Sequence, residues 1–349
     1  MITIAKTQVA LDFYRQMHKR ILLGKFANNK IPGVRQLAEE AGVSVPSVME
    51  GIDLLEDRNV VWRRQGSGIY VNTLDKRQLS VTVLQSDYPS PRFEMLNRAV
   101  AYLCEQRGYC FCRKIISSSP NDIGGLPDFS DVIVYIAPSH ALKPLWLAEV
   151  EARCGMMILM DKCPGYLALD TISIDGENMV LQALNYLYNK GHRHIWYLHN
   201  SPNVYDVIIR YFAAARWAVD HDVKLEHIDC GIKPGDDGYA QALEVVTPRL
   251  KGAKVKPTAM LAINDVGSLM AKQACADAGL AVPNDVSIVG LSDCPEAEAA
   301  QLTVVADRQE DFIEALDSLI RKRLYEKCGE IMNISITGVL IERKSVKHI

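Results

Sequence analysis

The chain of 349 residues lacks most of the features that assign a protein at sight. No stretch approaches the roughly 20 consecutive apolar residues that a membrane-spanning helix needs. The opening, MITIAKTQVALDFYRQMHKR, sets no apolar run between a basic head and a small-residue cleavage site, so it does not read as a secretory signal. The nine cysteines are an odd, scattered set without a C-x-x-C pair, Cys110 and Cys112 standing closest. That pattern argues against a disulfide framework and matches no Cys/His ligand spacing, so reduced thiols, a cytoplasmic location, no metal and no cofactor are expected. Catalytic signatures are missing as well. There is no P-loop, no G-x-S-x-G, no H-E-x-x-H and no close acid/base pair, and an enzyme is not expected.

What is present has the texture of a folded protein. Apolar residues make up 48% and charged residues 23% of the chain, which excludes wholesale disorder. The length calls for two or three compact units. Charge is uneven: residues 1–77 carry 12 Lys+Arg against 8 Asp+Glu, and the remainder carries 27 against 34. A basic head on an acidic body fits a nucleic-acid contact at one end only.

In that head, Leu11, Tyr14, Met17, Ile21 and Leu22 recur at helical spacing and predict a helix over 7–23. Residues 25–32 read as a loop. Leu37, Ala38 and Ala41 predict a second short helix stopped by Gly42. Ser44 then caps a third, with Pro46 tolerated in a first turn that has no donors to lose. Two short strands around Gln65-Gly66-Ser67-Gly68 complete a winged helix-turn-helix.

Pro32, Arg35, Leu37-Ala38, Gly42-Val43-Ser44, Leu54-Leu55-Glu56 and Arg63-Arg64-Gln65-Gly66-x-Gly68 resemble the DNA-binding domain of GntR regulators. The resemblance implies double-stranded operator DNA as a partner, contacted by Arg35, Val45, Ser47, Met49, Arg63, Arg64 and Ser67. The chain also departs from that family. Val45 and Met49 stand where it commonly has arginines, Gly33-Val34 replace its Ser-Glu, and Ser67 replaces a wing arginine. Phosphate contacts confer affinity and base edges confer specificity, so these losses bear on reading more than on holding. The expectation is an operator read through few guanines, with methyl contacts from Val45 and DNA shape contributing more. Arg63 and Arg64 have a second reading as a solvated strand face, and Trp62 and Trp217 read as packing residues.

From Val81 onward, short apolar runs alternate with helices, the pattern of parallel sheets with right-handed crossovers. Their C-terminal ends carry polar groups: Asp87-Tyr88, Asp161, Asp175, His199-Asn200, Asn264-Asp265 and Ser292-Asp293. Ligands of open α/β sheets bind beyond such ends. Lys190-Gly191-His192-Arg193-His194-Ile195, Gly279-Leu280, Pro283-x-Asp285-Val286-Ser287-Ile288-Val289-Gly290 and the tail Leu340-Ile341-x-Arg343-x-Ser345 resemble the effector domain of LacI/GalR repressors, itself similar to periplasmic sugar-binding proteins. A GntR-type head on such a body is the arrangement of AraR-like regulators of sugar catabolism.

The resemblance implies an α/β fold: an N-terminal winged helix-turn-helix at 1–73, a linker at 74–79, and a two-lobed periplasmic-binding-protein-like domain with parallel sheets at 80–349. The lobes are expected at 80–163 with 294–325 and at 164–293 with 326–349, the ligand lying between them. Candidate effector contacts are Tyr88, Asp175, Arg210, Asn264, Asp265, Ser292 and Asp293. Ser292 stands where the family has an aspartate, and Gly176 where it has an asparagine. Arg210 has a second reading as a structural ion-pair partner, Asp265 and Asp285 as helix or turn caps, and His192 and His194 as scaffold. The whole implies a cytoplasmic homodimer that represses sugar-catabolism genes until a monosaccharide, or a phosphorylated or acidic derivative, releases it. A sensor whose head has lost DNA and acts through a protein partner is the alternative.

Overall fold

The computed structural model of the chain describes residues 7–86, 91–116, 125–136, 144–160, 168–199, 205–232 and 238–349. They form two compact units, Met1–Ile172 with Phe312–Asn333 and Ser173–Asp311 with Ile334–Ile349.

The first unit opens with α1 (Gln8–Leu22), capped by Thr7, whose hydroxyl accepts from the Ala10 amide at 3.3 Å. Then come β1 (Lys30–Ile31), α2 (Val34–Ala41), α3 (Val45–Asp57), β2 (Val61–Arg64) and β3 (Gly68–Val71). Gly42 stops α2 in the left-handed region, at φ 65°, where a side chain would be strained. Ser44 caps α3 as its sequence predicts, accepting from the Ser47 amide at 3.3 Å, with Pro46 in the first turn. Val48, Ile52 and Leu55 of α3 are fully buried. Gly51 brings α3 onto α1, since a Cβ there would overlap the Phe13 ring and lie 3.2 Å from the Ala10 carbonyl oxygen. The sheet order is β1-β3-β2. The strand β1 was expected as loop. Ile31 precedes a proline, which favours extended backbone, and its side chain is buried as the segment pairs with the open edge of β3.

The chain continues through β4 (Ser80–Ser86), α4 (Pro91–Arg107), β5 (Cys110–Ile116), β6 (Ser130–Ile136), α5 (Pro144–Glu151), β7 (Cys154–Leu159) and β8 (Asp170–Ile174). Next are α6 (Gly176–Asn189), β9 (His194–His199), α7 (Tyr205–Asp220), β10 (Lys224–Asp229), α8 (Gly238–Gly252), β11 (Ala259–Ala262) and α9 (Asp265–Asp277). The last are β12 (Ser287–Leu291), α10 (Pro295–Ala299), β13 (Thr303–Ala306), α11 (Gln309–Ile320), β14 (Asn333–Ile336) and β15 (Val339–Ile341). Two six-stranded sheets result, ordered β14-β8-β7-β6-β4-β5 and β10-β9-β11-β12-β13-β15. The pairs β4–β5, β4–β6 and β6–β7 in one sheet, and β9–β10, β9–β11, β11–β12 and β12–β13 in the other, are parallel, whereas β15 returns antiparallel to β13.

Alternation along β9 shows how the second sheet is covered. Trp196 and Leu198 join Met260, Ile288 and Val304 in one apolar cluster with α8 and α9. Ile195 and Tyr197 join Leu261, Val289 and Val305 in another with α6 and α7. The tail motif has a structural reason. The buried Ser345 hydroxyl donates to the Ile288 carbonyl at 2.6 Å and accepts from the Thr303 amide at 2.7 Å, stitching β12 to β13.

The chain passes between units after Ile172, Asp311 and Asn333, where the bounds were expected at about 163, 293 and 325. The reason is pairing: β8 is a strand of the first sheet, and β13 extends the second sheet beside β12 before α11 begins. The segment 74–79 was expected as a linker. It holds a 3₁₀ turn at Leu74–Lys76 and then buries Leu79 and the Arg77 side chain, the latter only 3% exposed.

Candidate nucleic-acid interface and effector site

On the head, α3 presents Val45 and Met49 to solvent, 40% and 50% exposed and one helical turn apart. Apolar side chains of that size stay exposed at a cost unless they meet something, so this face is the interface candidate. Ser47 carries a hydroxyl 2.8 Å from that of Ser44, and Ser67 in the wing one 2.6 Å from that of Tyr70. Arg35 and Arg64 are exposed, and among the described residues no ion pair engages either. Arg63 differs. Its guanidinium donates to Glu56 at 2.7 Å and also pairs with Asp53, both on α3, so it braces the wing against the helix with its charge already matched.

Trp62 was expected inside but is 42% exposed. It stacks on Tyr70, its partner across the β2–β3 ladder, with ring centroids 5.0 Å apart, and Lys30 lies 5.7 Å from the Tyr70 ring. Trp62 and Arg64 are two residues apart in one strand and share a face. Strand periodicity carried that signal, and a tryptophan's usual burial hid it.

In the second unit, three of the expected effector positions meet at one end of the sheet. Arg210 of α7 donates to the Ile263 carbonyl at 3.2 Å, at the end of β11. It also fills the space beside Gly176, where a Cβ would collide with the guanidinium. The departure at Gly176 therefore makes room for Arg210. Asp175 and Asn264 flank this spot, and each caps the helix that follows: Asp175 accepts from the Asn178 amide at 3.0 Å, Asn264 from the Gly267 amide at 2.7 Å. Both retain acceptor capacity beyond the cap bond.

Asp293 does not join them. Arg343 donates to both of its oxygens, at 2.9 and 2.7 Å, so the expected ligand acceptor is a tie to the C-terminal tail. Ser292 sits at φ 147°, a conformation uncommon for a side-chain-bearing residue. Asp265 begins α9, and its side chain is not among those described. Tyr88, Asp87, Asp161 and Asn200 lie outside the described residues. His192 and His194 hold scaffold positions, His192 near the Lys347 carbonyl at 3.2 Å and His194 against Glu226 at 2.8 Å. Asp285 accepts from the Ala281 amide at 2.7 Å, closing a turn as its second reading had it. Trp217 is buried and donates to Asn185 at 2.8 Å.

Comparison with known proteins agrees with this layout. Residues 10–71 match the model of bacterial regulatory proteins of the gntR family, and residues 184–346 match a periplasmic binding protein-like domain. The chain is 24% identical over 345 residues to an arabinose metabolism transcriptional repressor of Geobacillus stearothermophilus, covering 92% of this chain and 93% of that one. It is 25% identical to the transcriptional repressor PurR of Histophilus somni, covering 90% and 98%. Among solved structures, a LacI family regulator from Enterococcus faecium with bound ribose superposes with a TM-score of 0.63 at 19% identity, over 77% of this chain and 99% of that one. The lac repressor dimer bound to operator does so at 0.63 and 17%, over 78% and 95%. The chain thus joins a gntR-family winged helix-turn-helix to a periplasmic-binding-protein-like domain of the kind found in LacI regulators.

Proposed function

We propose that this chain is a ligand-responsive transcriptional repressor, acting as a cytoplasmic homodimer without catalytic activity of its own. The observation that carries the reading is an outward α3 face, with Arg35 of α2 and Arg64 of β2 exposed and in no ion pair among the described residues, in the same chain as a sheet end where Arg210, Asp175 and Asn264 converge. One is suited to a duplex, the other to a small polar molecule. Among the described residues no helix is long and apolar enough to cross a membrane. The relative named as a repressor of arabinose metabolism and the neighbour holding ribose point to a sugar or sugar derivative. Mechanism is then linkage: sugar and operator favour different arrangements of the dimer, and each weakens the other by one common factor.

Gel-shift titration with DNA from upstream of the protein's own operon, at two salt concentrations and with a sugar panel, tests it. Binding that weakens with salt and again with one sugar is the expected result. No binding at low salt would instead favour the sensor that works through a protein partner. Arg64→Ala is expected to weaken binding to all duplexes about equally and to reduce the salt slope by about 1, as loss of one phosphate contact does. Arg35→Ala is expected to relax preference at one base position, with a loss of about 1–3 kcal/mol on the best site.

A second prediction concerns the effector end. Gly176→Asn restores the residue common in the family but places a side chain where the guanidinium of Arg210 lies. Arg210 must then swing away. Sugar affinity measured by calorimetry is expected to fall by about tenfold or more, the worth of one charged hydrogen bond. Operator affinity without sugar should be unchanged.

A further inference from the structure

Three side chains far apart in sequence meet beneath the head. His18 comes from α1, Arg77 from the segment before β4, and Asp131 from the start of β6, each with its side chain at most 3% exposed. Arg77 donates twice to Asp131, at 3.0 and 2.8 Å. The Ser80 amide and hydroxyl reach the same carboxylate at 2.8 and 2.9 Å. His18 Nε2 stands 2.9 Å from Asp131 Oδ1. On the far side of the ring, Nδ1 lies 3.2 Å from the Tyr14 hydroxyl. Phe129, two residues before Asp131, stacks on the imidazole at 4.3 Å.

Burial alone would raise the carboxyl of Asp131, but its contacts with His18 and Arg77 outweigh this and hold it well below the usual range. Burial lowers His18 from its ordinary value, against the opposing pull of Asp131.

Around this hub α1 makes further ties to the body. Arg15 donates to the Asp128 carbonyl at 2.8 Å, Lys19 reaches Glu151 at 3.2 Å, and Lys327 donates to the Leu22 carbonyl at 2.6 Å. Leu22 occupies the space over Gly155 in β7, where a Cβ would collide with it and lie 2.9 Å from the Asp131 carbonyl oxygen. One face of α1 thus belongs to the head, against α3, and the other to the first sheet of the body. A head on a free tether would present a solvated second face there.

We propose that Asp131 is the positioning residue that fixes the DNA-reading head to the first sheet, so that the two turn as one piece and an effector's influence reaches the duplex as rotation of that piece. The docking half stands on the contacts above; the transmission half rests on the regulator reading.

Hydrogen exchange followed by mass spectrometry on the full chain, without DNA or sugar, tests docking. In the unaltered protein, α1 should exchange as slowly as β6. Asp131→Asn should speed exchange in α1 and in residues 77–82 by about tenfold or more while leaving β12 unchanged. Should that variant not fold, Lys19→Ala with Lys327→Ala, at the rim, should speed α1 alone by about threefold. Fast exchange of α1 in the unaltered protein, or equal acceleration of β12, overturns docking through Asp131. Transmission is read from operator affinity with and without saturating L-arabinose or D-ribose. The sugar effect should shrink to within about twofold in Asp131→Asn, with operator affinity in the absence of sugar changed by less than about threefold. An undiminished sugar effect overturns it. If neither sugar acts on the unaltered protein, the effector reading is what fails, and the exchange result still decides docking.

Discussion

Alanine in place of Asp131 is expected to remove about 3–5 kcal/mol of stability from the first unit, measured as the shift of its urea transition. The magnitude follows from what is left behind. Arg77 would stay buried with no counter-ion, the Ser80 amide would lose its acceptor, and His18 Nε2 would face a void. Removing one partner of a buried pair costs far more than the pair itself contributes. Replacing both partners by apolar residues of similar size, Asp131→Leu with Arg77→Met, should recover most of the loss, since no charge is then stranded. The transition of the second unit should not move in either variant.

Acid should destabilise the second unit over a definite window. His192 and His199 are fully buried, and burial pushes both down from about 6.5 to about 4; for His199 the neighbouring His227 adds to the shift. A histidine lowered in the folded state takes up its proton first in the unfolded chain. Its stabilising effect is therefore complete above about pH 6.5 and is lost as pH falls towards 4. Each contributes on the order of 3 kcal/mol across that range, so stability should fall by about 6 kcal/mol between pH 7 and 4. Asp131, in the first unit, is depressed instead, and its contribution persists until pH drops below about 3.9. Among the described residues His199 has no hydrogen-bond partner at either ring nitrogen, and it packs on His227 at 4.0 Å. His199→Leu should accordingly flatten about half of the acid slope while leaving stability at pH 7.5 unchanged or raised. A slope that survives both His199→Leu and His192→Gln would assign the acid sensitivity to other groups.

The legibility of the fold followed the strength of its local signals. Caps and breakers spoke clearly, as at Ser44, Gly42 and Pro46, because their geometry is set within four residues. Strands buried on both faces also stood out as apolar runs. The strand β10 did not, because Lys224, His227 and Asp229 of this edge strand face water and break the run. The exchange of β8 and β13 between expected lobes had a related cause. Which sheet a strand joins is decided by its pairing, β8 with β7 and β13 with β12, and residue types within the strand do not encode it.

Site residues followed the same divide. Asp175 and Asn264 stood out by their positions after strands and Arg210 only through the resemblance, whereas the pairing of Asp293 with Arg343 required a contact across 50 residues. The cluster at Asp131 was wholly silent. Its members are separated by 54 residues or more, and each alone is an ordinary polar residue.

The threading of the chain has a consequence for synthesis. The first sheet includes β14, and its unit is completed only by Phe312–Asn333, long after the head and β4 to β8 have left the ribosome. Nascent chains fold by units, and long-range closure is slow. The winged helix thus emerges early onto a platform that stays unfinished until Phe312–Asn333 has been made. A ribosome stalled anywhere before Phe312 would expose a DNA-binding head on an incomplete support, a natural substrate for chaperones.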